Sequence, residues 1–153
     1  ETAAAALVAS LQQRLDRVRQ SVAGRTRRRV FVLEWPDPPF VAGHWVPELV
    51  SVAGGEPVLS RAGQRSVETS WDEVAQVQPE VVIVSSCGFD LSTSSQHARE
   101  LLHRLPDHCE VWAIDGNGLV VRPGPRLVDG VETIAAMLHE PSAVNPTNAV
   151  RIR

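Results

Sequence analysis

The chain has 153 residues, 43% of them apolar and 22% charged, the composition of one ordinary globular domain and not of a disordered polymer. Eighteen acidic against fifteen basic side chains give a formal charge of −3, a balance that excludes a dedicated nucleic-acid binder. Two cysteines are too few for a disulfide scaffold, and a chain of this length buries about 68 to 70% of its unfolded surface without a metal or disulfide staple. All the basic residues are arginine and tyrosine is absent, a sign of coding bias that carries no chemistry.

From the amino terminus, the stretch Thr2 to Ala9 is small and apolar, but it does not read as a signal peptide. No basic flank precedes it, and Leu7, Leu11, Leu15, Val18 and Val22 carry the same spacing into a charged segment. The pattern predicts one amphipathic helix ending near Gly24, and a start at Glu1 in mid-helix reads as a cut domain. No apolar run approaches the ~20 residues that span a bilayer. The arginine cluster from Arg25 to Arg29 reads as a solvated loop.

Val30 to Trp35 is a β-branched and aromatic run that predicts a strand. His44 to Ala53 predicts a short helix with Pro47 in its first turn and Gly54-Gly55 closing it. Pro57 to Leu59 can supply a brief strand. Ser70-Trp-Asp-Glu73 matches a capping box and starts a helix that must stop by Pro79. Val81 to Ser85 is apolar on both faces, as in a central parallel strand covered on both sides. Ser94 to Leu105 is helical, Val111 to Ile114 is a fourth strand, and Arg126 to Leu138 is a last helix with Leu127, Val131, Ile134 and Leu138 on one face. Residues 141–153 read as an extended or disordered tail.

Alternating strands and helices predict an α/β fold, a three-layer, doubly wound, mainly parallel sheet of about four or five strands. The expected organisation is a helix over residues 1–24, one α/β lobe over 25–140, and the tail. Ligands of such sheets sit beyond the carboxyl ends of the strands. The loops expected there hold out Phe40, Trp45 and Phe89 beside Arg122 on Pro- and Gly-rich turns, the make-up of a small-molecule site.

Cys87 follows a buried strand and precedes a helix, so with His44 and Asp115 it can be drawn as a thiol hydrolase, although no complete small-x-Cys-x-small elbow surrounds it. Cys109, His103 and His108 cluster where the chain enters the fourth strand, away from the expected ligand edge, and make a poor metal set. Gly116 to Gly124 contains no dinucleotide fingerprint. Arg122 suits an anionic group, and Arg126 suits an ion pair with Asp129. The two cysteines lie at opposite ends of parallel strands, ~15 Å apart against a bridging limit of ~7 Å, so both are expected as free thiols.

Pro-Pro-Phe at 38 to 40, Gly-His-Trp-x-Pro-Glu-Leu-Val-x-x-Ala-Gly-Gly at 43 to 55, Ser-Trp-Asp-Glu-Val at 70 to 74, Pro-Glu-Val-Val-Ile-Val at 79 to 84, Cys-Gly-Phe at 87 to 89 and Arg-Pro-Gly-Pro-Arg-Leu-Val-Asp at 122 to 129 together resemble the carboxyl-terminal lobe of helical-backbone substrate-binding proteins. These are the receptors of ABC importers for cobalamin, ferric siderophores and haem. The resemblance runs from about Arg25 to Leu138 and makes the first helix the end of an interlobe helix. It implies a binding protein, not an enzyme, of the periplasm or cell surface. A cobalamin-like or metal-chelate ligand would be held between this lobe and an amino-terminal lobe outside this chain, with an importer permease as partner and no resident cofactor.

Carried over by position, the resemblance gives Phe40 an aromatic contact to the ligand and Arg122 a polar one, with Trp45, Cys87 and Phe89 beside them. Asn117 or Gly118 falls where the family has an acidic contact, and Ser66 falls near the place of a pocket tryptophan, so the sequence departs from the pattern at both. Docking onto the importer falls to Asp72, or to Glu73 if the register shifts by one. The capping box favours Asp72, because Ser70 occupies Glu73.

Overall fold

The alternation in the first strand decides how the layers form, because successive side chains of a strand point to opposite faces. A computed structural model describes residues 2–153. In β1 (Arg29–Pro36), Val30 and Val32 join one buried cluster while Phe31 and Leu33 join the other. The pattern repeats in β5 (Val81–Val84) and β6 (Glu110–Ile114): Val81, Ile83, Trp112 and Ile114 face the first cluster, and Val82, Val84, Val111 and Ala113 face the second. The sheet is therefore buried on both sides, and full burial of each such side chain contributes ~1.5 to 3 kcal/mol.

Against the first face pack α1 (Thr2–Val22), α2 (Val46–Val52), the single turn α5 (Gly116–Leu119) and α6 (Arg126–His139), through Val18, Leu49, Leu119 and Ile134 among others. Against the second pack α3 (Trp71–Gln76) and α4 (Leu91–Leu101), through Val74, Ala98 and Leu101. Pro47 sits in the first turn of α2, where its missing N–H costs nothing. Ser70 and Glu73 form the complete capping box of α3. α4 begins three residues before the expected Ser94, because Asp90 accepts the Thr93 amide and sets its start.

Among the described residues seven strands form one sheet, more than the four or five expected from the sequence. The parallel centre is β3 (Glu56–Pro57), β1, β5 and β6. Antiparallel additions are β2 (Pro39–Val41) on β1 and β7 (Ala149–Arg151) on β6, with β4 (Val67–Glu68) outside β2. Residues 141–153, expected as an extended or disordered tail, carry a 3-10 turn at Pro141–Ala143 and then β7, whose Ala149 is buried against Ile114. Arg153 anchors the last residues, donating to the carbonyls of Pro106 at 2.6 Å and Cys109 at 3.2 Å.

The arginine cluster after α1 is also more committed than a solvated loop. Arg27 donates to the Gly55 carbonyl at 2.6 Å, Arg28 pairs with Glu110 at 2.6 Å, and the Arg29 amide donates to Glu80 at 2.9 Å. These contacts tie the amino ends of the strands together and leave the opposite end of the sheet for the loops.

Candidate functional site

At the carboxyl end of β1 the pairing register with β2 shifts between Leu33 and Trp35, so Trp35 comes to lie opposite Phe40. The chain then passes Gly43, where a side chain would run into the backbone of Gln64, Arg65 and Ser66; glycine is required for that close approach. His44, at φ 57°, fastens the same loop from both sides. Its amide donates to the Gln64 carbonyl at 2.5 Å, and its carbonyl accepts the Gly63 amide at 2.8 Å. Ser66 completes the junction, accepting the Gly43 amide at 3.0 Å and donating its hydroxyl to the Glu34 carboxylate.

Beyond β5 the chain continues alongside β1, with Ser85 donating to the Leu33 carbonyl at 2.9 Å and Cys87 to the Glu34 carbonyl at 3.0 Å. Phe89 tilts against Trp35 at 5.9 Å between ring centres and meets the His97 ring edge-on at 5.7 Å. His97 is itself held by the Ser86 hydroxyl at 2.8 Å. After β6, Asp115 caps α5 by accepting the Gly118 amide at 3.0 Å. Asn117 donates its backbone N–H to the Phe89 carbonyl at 3.1 Å, and its side-chain oxygen accepts from Arg122 Nε at 2.7 Å.

These loops border two adjoining, solvent-open cavities. The outer one, about 330 Å³, is lined by Glu34, Trp35, Phe40, His44, Arg65, Ser66 and Cys87. The inner one, about 210 Å³, shares Glu34, His44 and Ser66 with it and is floored by Trp45, Ser85, Val120 and Val121.

Phe40 and Cys87, expected as contacts, both line the outer cavity. Phe89 is 37% exposed and flanks it through Trp35, itself 39% exposed. Trp45 turns inward: its indole N–H donates to the Val120 carbonyl at 2.7 Å, and its ring packs on the core while walling the inner cavity. Arg122 and Asn117, also expected as contacts, are joined to each other and are not among the residues lining either cavity. Glu34, Trp35 and Arg65 were not singled out by sequence reasoning, although a lone carboxylate in an otherwise apolar strand was a readable signal for Glu34.

Cys87 and His44 line the same cavity, but the surroundings of the thiol do not favour hydrolase chemistry. Burial pushes the Cys87 thiol up, and the Glu34 charge and hydrogen bond push it further, against the weaker pull of Arg122. A thiol held in that form is a poor nucleophile, and Asp115 is occupied as a helix cap. Cys87 and Cys109 are both free thiols. Among the described residues no group of three or more His, Cys, Asp or Glu is placed to hold a metal ion, and no helix is long and apolar enough to cross a membrane.

On the far side of the sheet, Asp72 is exposed on the first turn of α3. Its neighbour Glu73 accepts from the Ser70 amide at 2.9 Å, the Thr69 hydroxyl at 2.9 Å and the Ser70 hydroxyl at 3.1 Å, and these donors hold its carboxyl below the ordinary range, the Ser70 amide foremost.

A model of the periplasmic binding protein family matches residues 1–104. The chain belongs to that family. Among solved structures, this periplasmic binding protein is similar to the periplasmic vitamin B12 binding protein of Vibrio cholerae, at 26% identity and a TM-score of 0.65 over 86% of this chain and 52% of that one. It is also similar to an Fe3+-hydroxamate transport system protein from Saccharomonospora viridis, at 25% identity and a TM-score of 0.67 over 89% and 49%. A periplasmic heme binding protein from Pseudomonas aeruginosa shares the fold, at 21% identity and a TM-score of 0.77 over 97% and 57%. The periplasmic binding protein described here thus spans about half the length of these structures. No curated protein matches it.

Proposed function

We propose that the chain is the carboxyl-terminal lobe of an ABC-importer receptor of the periplasm or cell surface, whose ligand is a flat, partly apolar metal chelate, a corrinoid above all. The carrying observation is the aromatic surface of Trp35, Phe40 and Phe89 at the carboxyl end of the sheet, with Trp35 and Phe89 left more than a third exposed. Exposed aromatics set around a polar recess are suited to stack on a planar ligand and orient its periphery. The likeness to the vitamin B12 binding protein at 26% identity supports a corrinoid, and the hydroxamate and heme relatives make a ferric siderophore or haem the alternatives.

In this reading an amino-terminal lobe supplies the second wall of the cleft, and α1 leads toward it. Asp72 is the docking carboxylate for the importer permease, because Glu73 is occupied by its cap. The test is equilibrium binding of cyanocobalamin, haem and a ferric hydroxamate to the two-lobed receptor containing this chain. Saturation by cyanocobalamin at concentrations where the others do not bind is the expected result. Preferential saturation by haem or the hydroxamate would replace the corrinoid, and binding of none would remove the chelate reading.

A further inference from the structure

Glu34, His44 and Cys87 border the outer cavity, and each carries an atom able to bind a metal. They differ in what they offer. The Glu34 carboxylate accepts the Ser66 hydroxyl, and carboxylates suit hard cations such as Mg2+ or Ca2+ better than a chelated transition metal. Burial, helped by the charge of Glu34, keeps Cys87 as the thiol, whereas the thiolate is the form that ligates. His44 is exposed and borders both cavities. His97 and His139 each share a ring nitrogen with a protein partner, Ser86 and the Ala53 carbonyl. His44 is instead held through its backbone and by the Trp45 ring at 5.8 Å between centres, and among the described residues neither of its ring nitrogens is hydrogen-bonded.

The backbone of His44 adds a second observation. Its φ of 57° lies in the left-handed region, which glycine enters freely and a residue with a Cβ does not. The hydrogen bonds to Gln64 and Gly63 hold it there. Strain of this kind persists where the surroundings over-determine it, and it gathers at ligand clamps. The turn thus carries an imidazole where glycine would fit with less strain, and the imidazole has no structural partner that would account for it.

We infer that His44 is an axial ligand to the cobalt of the bound corrinoid, its ring nitrogen entering the coordination position perpendicular to the macrocycle while Trp35 and Phe40 contact the plane beside it. The inference rests on the corrinoid reading above and deepens it. On a corrinoid whose upper position holds water, the Co–O bond breaks, the neutral imidazole gives its lone pair to cobalt(III), and the water leaves; no electron is transferred. His44 thereby selects corrinoids whose upper ligand exchanges. Cyanocobalamin, whose cyanide keeps that position, retains the aromatic contacts alone. A ferric hydroxamate, whose own oxygen donors fill the coordination sphere of the iron, offers His44 no place.

The test adds aquacobalamin and, separately, cyanocobalamin to the two-lobed receptor containing this chain, and follows the absorption spectrum and the affinity of each. Bound aquacobalamin is expected to take on the spectrum that free imidazole gives it in solution, and to bind about tenfold more tightly than cyanocobalamin. His44→Asn should leave the bound spectrum that of the aqua form and bring the two affinities together, since asparagine accepts the left-handed backbone but supplies no imidazole. Should His44→Asn fold poorly by its melting curve, His44→Gly serves instead, because glycine relieves the strained φ. An unshifted spectrum in the saturated wild-type receptor, or a shift that survives in the variant, would overturn the ligand assignment and leave the corrinoid reading standing. Failure of both corrinoids to bind would overturn that reading and the assignment with it.

Discussion

Glu34 and Cys87 meet twice: the Cys87 amide donates to the Glu34 carbonyl at 3.0 Å, and the negative charge of Glu34 helps burial to push the Cys87 thiol up. The first contact lies just beyond the β1–β5 ladder, which ends at Leu33 and Val84. The second follows from it, because the chain beyond β5 stays close enough to β1 for the two side chains to sit beside one another. One loop thereby places an exposed cysteine beside an acid, in a setting unlike that of a catalytic thiol.

The direction of the Cys87 shift gives a first prediction. A thiol whose pKa lies above its ordinary value holds less thiolate at any pH below that value, and the thiolate is the reactive form. Alkylation by iodoacetamide near pH 7 should therefore be slower at Cys87 than in a free cysteine peptide, and Glu34→Gln should raise the rate. A wild-type rate above that of the peptide would revive the thiol-enzyme reading.

A second prediction concerns Gly43. Any side chain at this position meets the backbone between Gln64 and Ser66, which cannot rotate aside as a flexible side chain can. Gly43→Ala should cost about 2 kcal/mol or more, in the range of overpacked cores, and lower the melting temperature by roughly 4 °C or more. Thermal unfolding followed by circular dichroism measures it, and an unchanged midpoint would show that the 61–66 loop is free to move away.

Docking provides the third. Asp72→Arg should leave ligand affinity and stability of the two-lobed receptor unchanged and weaken capture by the importer, because reversing a charge at a partner surface costs association. Glu73→Arg should instead destabilise the start of α3, since three donors lose their acceptor. Uptake assays paired with melting curves separate the two effects. Normal uptake with Asp72→Arg would remove that residue from the interface.

Affinity of the isolated chain is the fourth. Good sites enclose about 70 to 90% of a ligand of this kind, and Trp35, Phe40 and Phe89 offer only one face of a planar molecule a partner. Removing a single aromatic anchor from a complete site costs ~2 kcal/mol or more, so a single wall should bind cyanocobalamin no better than roughly millimolar. Quenching of tryptophan fluorescence, corrected for ligand absorbance, reports it. Micromolar saturation would mean that the site is complete within these 153 residues.

How much of this was readable in advance depends on range. Val81 to Val84, apolar on both faces, announced a central strand, and Ser70 with Glu73 announced the start of α3, because both patterns act within a few residues. The two- and three-residue strands β2, β4 and β7 have no periodicity to read; β2 folds back on the adjoining end of β1, while β4 and β7 exist only through partners distant in sequence. Trp45 illustrates the same limit at the site. Its place beside Phe40 in the sequence suggested a second outward aromatic, yet its indole is held by Val120, 75 residues away. Ser66 and Glu34 find each other across 32 residues, a meeting that neither residue's neighbours foretell.

The strand formed by Ala149–Arg151 has a consequence for handling the protein. It pairs with β6 from Trp112 to Ile114, covering a row of backbone donors and acceptors that would otherwise present an open template to any other extended chain. Arg153 acts as its latch. Trimming the last five residues would remove none of the residues that line the two cavities, yet it would bare the backbone donors and acceptors of β6 as an open edge, and the shortened chain should aggregate more readily than the full one. A cleavable tag at this end should therefore follow a spacer, so that its removal spares the latch.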